Sequence, residues 1–427
     1  MTHSSIARQR GAATLVSAVI ILVLMTMITF FANRNILFER KTAANQYRST
    51  KAIEAAEAGV EWTIANLNSM RRITSACATS TLTSDHSLRD KYLDPDGDGS
   101  YAPVPGNAAT NFSAATPLCT LIGGAWSCSC PSANPVAAPT AAACTAPEGC
   151  PTFRVGFANM AGDATLVRVS STGCTNSQAP CVAGAGTTAD GTATINQVMK
   201  LLSGLATLPA AALTAKGYVD FGSNAISATN TDPGTNGITI NAGGTIGGFI
   251  NDKTVVSLPG TPPGASLVGG DTSLSSLTDD QMFKSFFGMT KAQYQASPAT
   301  TTVNCSGGCN TPVLDAISAG ARTMWIEGDM TLNSNGTYGS PTAPVILVVN
   351  GNVHVQGTIT IYGVLYCQDG TWDNTGGGNA QIVGAAIAEG NFTATGTPNP
   401  TYDPNVLKRL RETTGQYAKV PGGWRDF

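Results

Sequence analysis

One stretch near the amino terminus limits what the rest of the chain can become. Residues 12–32 are apolar apart from Thr14, Ser17, Thr26 and Thr29, and contain neither Pro nor any charge. At ~1.5 Å per residue, a helix over these roughly 21 positions is about 31 Å long, one hydrocarbon core of a bilayer. Each hydroxyl in it can return its proton to a carbonyl one turn back. A cleaved secretory signal would have a shorter apolar core followed by a small-residue cleavage site. Here the helical pattern instead continues through Asn33, Ile36, Leu37, Phe38 and Arg40, so the apolar segment is expected to be retained. Ile53, Ala56, Val60, Ile64 and Leu67 then recur at spacings of three and four, the period of one helix face, with Glu54, Glu57 and Glu61 beside them. A rod of ~55 residues, on the order of 80 Å, is too long to be buried in one globular head. The apolar half, with Leu15, Val16, Ile20, Leu24 and Ile28, is therefore predicted to face lipid or other helices, and the amphipathic half to carry a domain.

The residues beyond the rod allow two or more domains. Charged residues make up only 12% of the chain and Gly is abundant at 47, a balance that suits an extracellular β-rich protein better than a cytosolic enzyme. A net charge of -3 gives no footprint for nucleic acid, which is not expected as a partner. Most of the 11 cysteines fall between Cys77 and Cys181, where Pro, Ala, Gly and Ser dominate and apolar periodicity is poor. Zinc would call for repeated Cys-x2-Cys pairs with His nearby, but His3, His86 and His354 lie far from any such pair. Disulfides in an oxidising compartment are the better account, stapling a segment that lacks a core of its own. Cys174, Cys181, Cys305 and Cys309 are candidates, the last two flanking a tight Ser-Gly-Gly loop, and the pattern leaves connectivity open. Cys367, inside an apolar strand run, is the expected odd thiol. Asp94, Asp96 and Asp98 alternate before Gly99, as in the front half of a calcium loop. The twelfth position is Pro105 rather than Glu, so this is no EF-hand. Two readings stay open: a structural Ca2+ completed by carbonyls, water or a distant residue, and an acidic Asp-Gly turn.

From Phe153 the pattern turns to short strands. Residues 153–157 and 164–170 alternate as half-buried strands do, and 197–205 fit either a helix or a strand. Residues 278–288 predict a short helix capped by Thr278, and 403–411 a closing one. Between 323 and 394, short alternating strands punctuated by Gly or Gly-Asn suggest a parallel β-solenoid, with a β-sandwich as the runner-up. Glu327, Asp329, Asp369, Asp373 and Glu389 are scattered along it, and no Gly-x-Ser-x-Gly, phosphate-binding glycine loop or His-rich site occurs. No enzymatic activity is expected.

The run from Arg8 to Val16, Arg-Gln-Arg-Gly-Ala-Ala-Thr-Leu-Val, resembles a class III prepilin leader. Ala52 to Glu61, Ala-Ile-Glu-Ala-Ala-Glu-Ala-Gly-Val-Glu, resembles the signature of the PilX-type minor pilins of type IV pili, and 402–407 with 420–427 resemble the ending of that group. The resemblance implies cleavage after Gly11 by a prepilin peptidase and N-methylation of Ala12. It implies an α+β fold: a long N-terminal helix, half membrane-spanning and half amphipathic, against a pilin-like β head with a disulfide-stapled insertion, followed by the solenoid-like β domain. The corresponding boundaries are 1–11, 12–70, 71–200 and 201–427. It also implies residence in the inner membrane with the C-terminal part periplasmic, then in the filament. The partners would be other minor pilins, the major pilin, a tip adhesin and the inner-membrane assembly platform. Two departures carry information. Val16 stands where pilins have Glu, and Asn33 where major pilins have Pro. A carboxylate in an apolar filament core is tolerable only when a neighbour's amine pairs with it. A subunit with nothing above it has no such need, which places this chain at a tip, as for the K-type minor pseudopilin of type II secretion. A pseudopilin and a glycan- or protein-binding adhesin are the alternative readings.

Overall fold

In this computed structural model the described residues are 10–82, 84–93, 116–131, 149–160, 163, 165–182, 188–372, 380–396 and 398–425. The calcium candidates Asp94, Asp96 and Asp98 lie outside them. Helix α1, Arg10–Leu67, runs unbroken for 58 residues. Its apolar half returns hydroxyl protons to its own carbonyls, Ser17 to Ala13 at 3.0 Å, Thr26 to Val23 at 2.8 Å and Thr29 to Met25 at 2.9 Å.

Residues 13–50 are exposed throughout, and burial begins at Ala52. The buried stripe is Ala52, Ala55, Ala56, Val60, Thr63 and Leu67. This corrects the sequence reading: Ile53 is 41% exposed beside Glu54 and Glu57, and Ile64 is only half-buried. The inward face is chosen by size rather than hydrophobicity. A Cβ at Gly173 would collide with the carbonyl of Ala52 and the amide of Ala56, and one at Gly59 with Ser171 and the Phe153 ring. The sheet lies so close to the helix that small residues must meet it.

That sheet is antiparallel. Strands β1 (Leu118–Ile122), β2 (Ala125–Ser129), β3 (Thr152–Asn159), β4 (Leu166–Cys174) and β5 (Thr192–Ser203) lie in the order β2-β1-β3-β4-β5. The ambiguous 197–205 segment thus belongs mainly to a strand. Val60 and Leu67 of α1 pack with Phe153, Val155, Phe157, Val169, Ile195 and Met199, and a short helix α2, Leu88–Leu93, adds Leu88 and Tyr92. Disulfides Cys77–Cys130 and Cys119–Cys128 hold the edge, and Cys174–Cys181 ties the end of β4 to its loop. The sixth strand is Gly415–Arg425, which pairs antiparallel with β5, Leu202 opposite Gln416. The expected division at 200/201 therefore does not hold for the chain's end. The last strand belongs to the head, and the β domain is inserted between two neighbouring strands of one sheet.

The insertion is a coil of parallel strands on three faces. On the first face, Thr300 pairs with Thr323, Thr323 with Ile346, Ile346 with Val364 and Val364 with Ala385. Ala386 then pairs with Leu213, Leu213 with Ile240 and Ile240 with Leu267. The second face stacks Met330, Val353, Gly370, Phe392, Val219 and Ile246 in register. The third begins Gly336–Ile359 and ends Ala228–Val255. The stacking order is not the chain order. The first layers in sequence, 213–268, lie on top of the last, 381–402, so the chain returns along the coil between them.

The returning segment carries α3 (Thr272–Ser275), α4 (Asp279–Phe287) and α5 (Lys291–Gln295). Thr278 caps α4 through a reciprocal capping box with Gln281. Met282, Phe283, Phe287 and Tyr294 cover the outward side chains of the first face, Trp325, Ile346, Val348, Val364 and Tyr366. With both sides covered, strands there read as continuous apolar runs such as 345–349. Helix α6, Asn310–Ser318, closes the coil's lower end through Val313, with Cys305–Cys309 fixing its entry. Cys367 is the buried free thiol among the described cysteines. Helix α7, Pro404–Thr413, capped by Asp403, leads back to the head.

Candidate functional site: the exposed half of the rod and its junction with the head

The feature that most clearly lacks an internal role is the lower part of α1. Leu15, Val16, Ile20, Leu24 and Ile28 are between 53% and 66% exposed, and Phe30 and Phe31 reach 68% and 58%. Contiguous apolar surface of this extent marks contact with lipid or other proteins. By length and composition the helix can cross a membrane. No acidic side chain interrupts it until Glu39. Gly11 and Ala12, the expected processing positions, fall in the first turn of the helix.

Above the apolar part, charge appears. The Arg34 guanidinium lies over the Phe38 ring at 5.5 Å, and Arg48 reaches Asp190 at 3.7 Å, both partly exposed. Higher still, Glu54, Glu57 and Glu61 border a groove of about 540 Å3 completed by Ile195, Lys419 and Trp424. Lys419 pairs with Glu61. Trp424, expected to dock the terminus, is 48% exposed, and Phe427 lies outside the described residues.

The rod is held to the head by a residue the sequence did not single out. Arg89, fully buried, donates from Nε and a terminal nitrogen to the Leu67 carbonyl at 3.0 and 2.6 Å, and from its terminal nitrogens to Thr413 O at 3.1 Å and Gly415 O at 3.0 Å. Its guanidinium also stacks on the Tyr417 ring at 4.9 Å. Asn68 adds a two-way bond, accepting from Tyr417 N at 2.6 Å and donating to Tyr417 O at 3.0 Å. The cation thus gathers the carbonyl end of α1, where the helix dipole is negative, together with the start of the last strand. A lone Arg in a short amphipathic helix gives no signal of this in the sequence.

Of the acids scattered along the coil, Asp373 lies outside the described residues, and Glu327, Asp329, Asp369 and Glu389 each accept a hydrogen bond within the coil or from α5. Asp329 Oδ1 accepts from Asn352 N at 2.8 Å, and Asp369 Oδ1 from Asn391 N at 2.6 Å, so these carboxylates cap turns between successive layers. Buried Glu389 pairs with Lys291 of α5 at 2.6 Å and accepts from Tyr366 OH at 2.9 Å. Burial, and then the neighbouring Glu389, push the Tyr366 hydroxyl far up, and burial does the same to the Cys367 thiol. Among the described residues no three His, Cys, Asp or Glu side chains converge as metal ligands.

Residues 10–61 match the PilX N-terminal family. No curated protein matches the chain. Among solved structures the chain is similar to the competence-associated pilin ComZ from Thermus thermophilus, at 13% identity over 89% of this chain and 97% of that one, with a TM-score of 0.25.

Proposed function

We propose that this chain, whose residues 10–61 match the PilX N-terminal family, works as a minor pilin in type IV pilus assembly, priming the filament and standing at its tip. Its exposed apolar helix fits membrane anchoring before assembly, and other pilins are its partners afterwards. A tip adhesin, the prepilin peptidase and the assembly platform are further proposed partners. The observation that carries the reading is the division of α1. One half is built into the head through Ala52, Ala56 and Gly59, and the other, residues 13–50, is exposed and apolar for most of its length. A helix exposed in this way is stable in lipid, and in a bundle the same surface packs against like helices. Val16, at a depth where a carboxylate would need a neighbour's amine, supports a place with no subunit above.

Processing after Gly11, methylation at Ala12 and a structural Ca2+ at Asp94, Asp96 and Asp98 belong to the same proposal. Intact mass on sheared, purified pili tests it. The expected species begins at Ala12, carries one methyl group and is present in the fibre. A mature chain found free of membrane and fibre, trimmed beyond residue 32, refutes it.

A further inference from the structure

Charge is laid along α1 in two bands. Between 34 and 51 the helix has Arg34, Arg40, Lys41, Arg48 and Lys51 against Glu39, whereas between 52 and 67 it has Glu54, Glu57 and Glu61 with no basic residue. Three of the cations lie on the side opposite the acids, while Arg40 and Lys51 flank the acidic side. At about 100° per residue, Arg34, Lys41 and Arg48 fall within about 40° of one another, on the side where Ala52, Ala56 and Thr63 enter the head. By the same count Glu39, Glu54, Glu57 and Glu61 fall within about 60° on the far side. The head overhangs the basic side. Its rim reaches the helix at Arg48, through Asp190 and the backbone of Gly191. Below that rim α1 is exposed on every side.

We infer that this basic, head-side face seats the acidic outer face of a neighbouring pilin-type helix standing lower by about 24 Å, the rise over the ~16 residues between Lys41 and Glu57. The inference rests on the pilin reading and adds the partner's chemistry and the register. Charge complementarity supports it: three cations, Arg34, Lys41 and Arg48, with no anion on their side, face outward under an overhang, and this chain's own acidic stripe shows what a helix of the same kind offers at head level. The Arg48–Asp190 pair is exposed and weak, so it does not withhold Arg48 from a partner. A contact between the front of one rod and the back of another is heterologous, so it propagates as a staggered stack instead of closing as a dimer. At a tip, the basic face is engaged from below, and the acidic face keeps only its internal pairing of Glu61 with Lys419.

The test is carbodiimide treatment of sheared fibres carrying the full chain, which joins a lysine amine to a carboxylate in contact with it, followed by sequencing of the linked peptides. The expected product is an amide from Lys41 to a carboxylate in the head-level acidic stripe of a pilin-type helix. It should vanish in Lys41→Arg, which keeps the charge and loses the reactive amine. Lys41→Glu should lower the chain's content in fibres several-fold while its level in the membrane is unchanged. Fibres that hold the chain without this link, or with a link from Lys41 to a neighbour's head instead of its helix, overturn the inference, as does undiminished incorporation of Lys41→Glu. A second link from Glu57 to a lysine of a higher rod leaves the register standing and refutes the tip placement. If the chain is absent from fibres, the pilus reading fails, and the same reagent applied to membranes decides the register by the presence or absence of the Lys41 link.

Discussion

Replacing Arg89 by Met should unfasten the last strand from the rod. The substitution keeps an apolar stem of similar reach but removes the donors serving the carbonyls of Leu67, Thr413 and Gly415, all in buried residues. Each buried carbonyl left without a partner costs about 1–3 kcal/mol. Against that, a guanidinium no longer has to be desolvated, which returns several kcal/mol. The net expectation is a loss of about 3 kcal/mol, with the stacking on Tyr417 forfeited as well. For a unit of this size, about 2–4 °C per kcal/mol gives a fall in Tm of roughly 6–12 °C. The measurement is thermal unfolding of a chain beginning at residue 42, which keeps the part of α1 that the head requires, together with amide exchange in the Gly415–Arg425 strand. Exchange there should accelerate more than in β3 or β4. Arg89→Lys should recover only part of the loss, because one ammonium cannot span three diverging carbonyls. A Tm within about 2 °C of the parent, with unchanged exchange in the last strand, would mean that water serves those carbonyls and that the clamp is not structural.

Two further outcomes follow from packing and protonation. Gly59→Ala should gain up to about 1 kcal/mol in an isolated helix, but here the new methyl meets Ser171 and Phe153. Overpacking at about 1–3 kcal/mol should win, and a higher Tm would refute the close approach of sheet to helix. Burial pushes the Tyr417 hydroxyl up to about 12 against the pull of Arg89, and burial with Asp232 takes Tyr402 to about 12. The unfolded phenols ionise near 10, so the folded state holds these protons longer. Their contribution is complete below pH 10 and is lost between about 10 and 12. Phenolate absorbance checks this, and two buried phenols titrating with the exposed ones near pH 10 would overturn it.

How much of this was legible in the sequence depended on the range of the interaction that decides each feature. The rod and the helices at Asp279–Phe287 and Pro404–Thr413 are written locally, in periodicity, in the Thr278 and Asp403 caps and in the absence of Pro. In the last third the alternation of apolar residues marks strands, but Val345–Val355 and Ile359–Trp372 run on through the glycines that the pattern reads as breaks. Ile53 faces outward despite its apolar side chain, because steric closeness and not hydrophobicity selects the inward face of α1. Ala52, Ala56 and Gly59 are inward because Gly173 brings the backbone of β4 onto them, a contact more than 100 residues away in sequence. Arg89 leaves no mark in the sequence because its partners are carbonyls, which every residue has and no pattern marks.

The order of layers was not legible at all, and its consequence reaches back to the rod. Nothing local says that Leu213, paired on one side with Ile240, stacks on its other side against Ala386. Yet that seam is what brings the insertion's two ends together, Gly204 N donating to Thr414 O at 3.0 Å. Pairing of β5 with Gly415–Arg425 closes a loop of roughly 210 residues, and an unfolded loop of that length opposes closure by its entropy. Once the coil has closed on itself, the loop is already shut and the last strand is delivered beside β5. The Asn68 and Arg89 bonds to Tyr417, Thr413 and Gly415 then form at the end of α1. The head that grips the rod is therefore finished by the domain inserted into it, so damage at the Leu213–Ala386 seam is transmitted to the grip on a helix it does not touch.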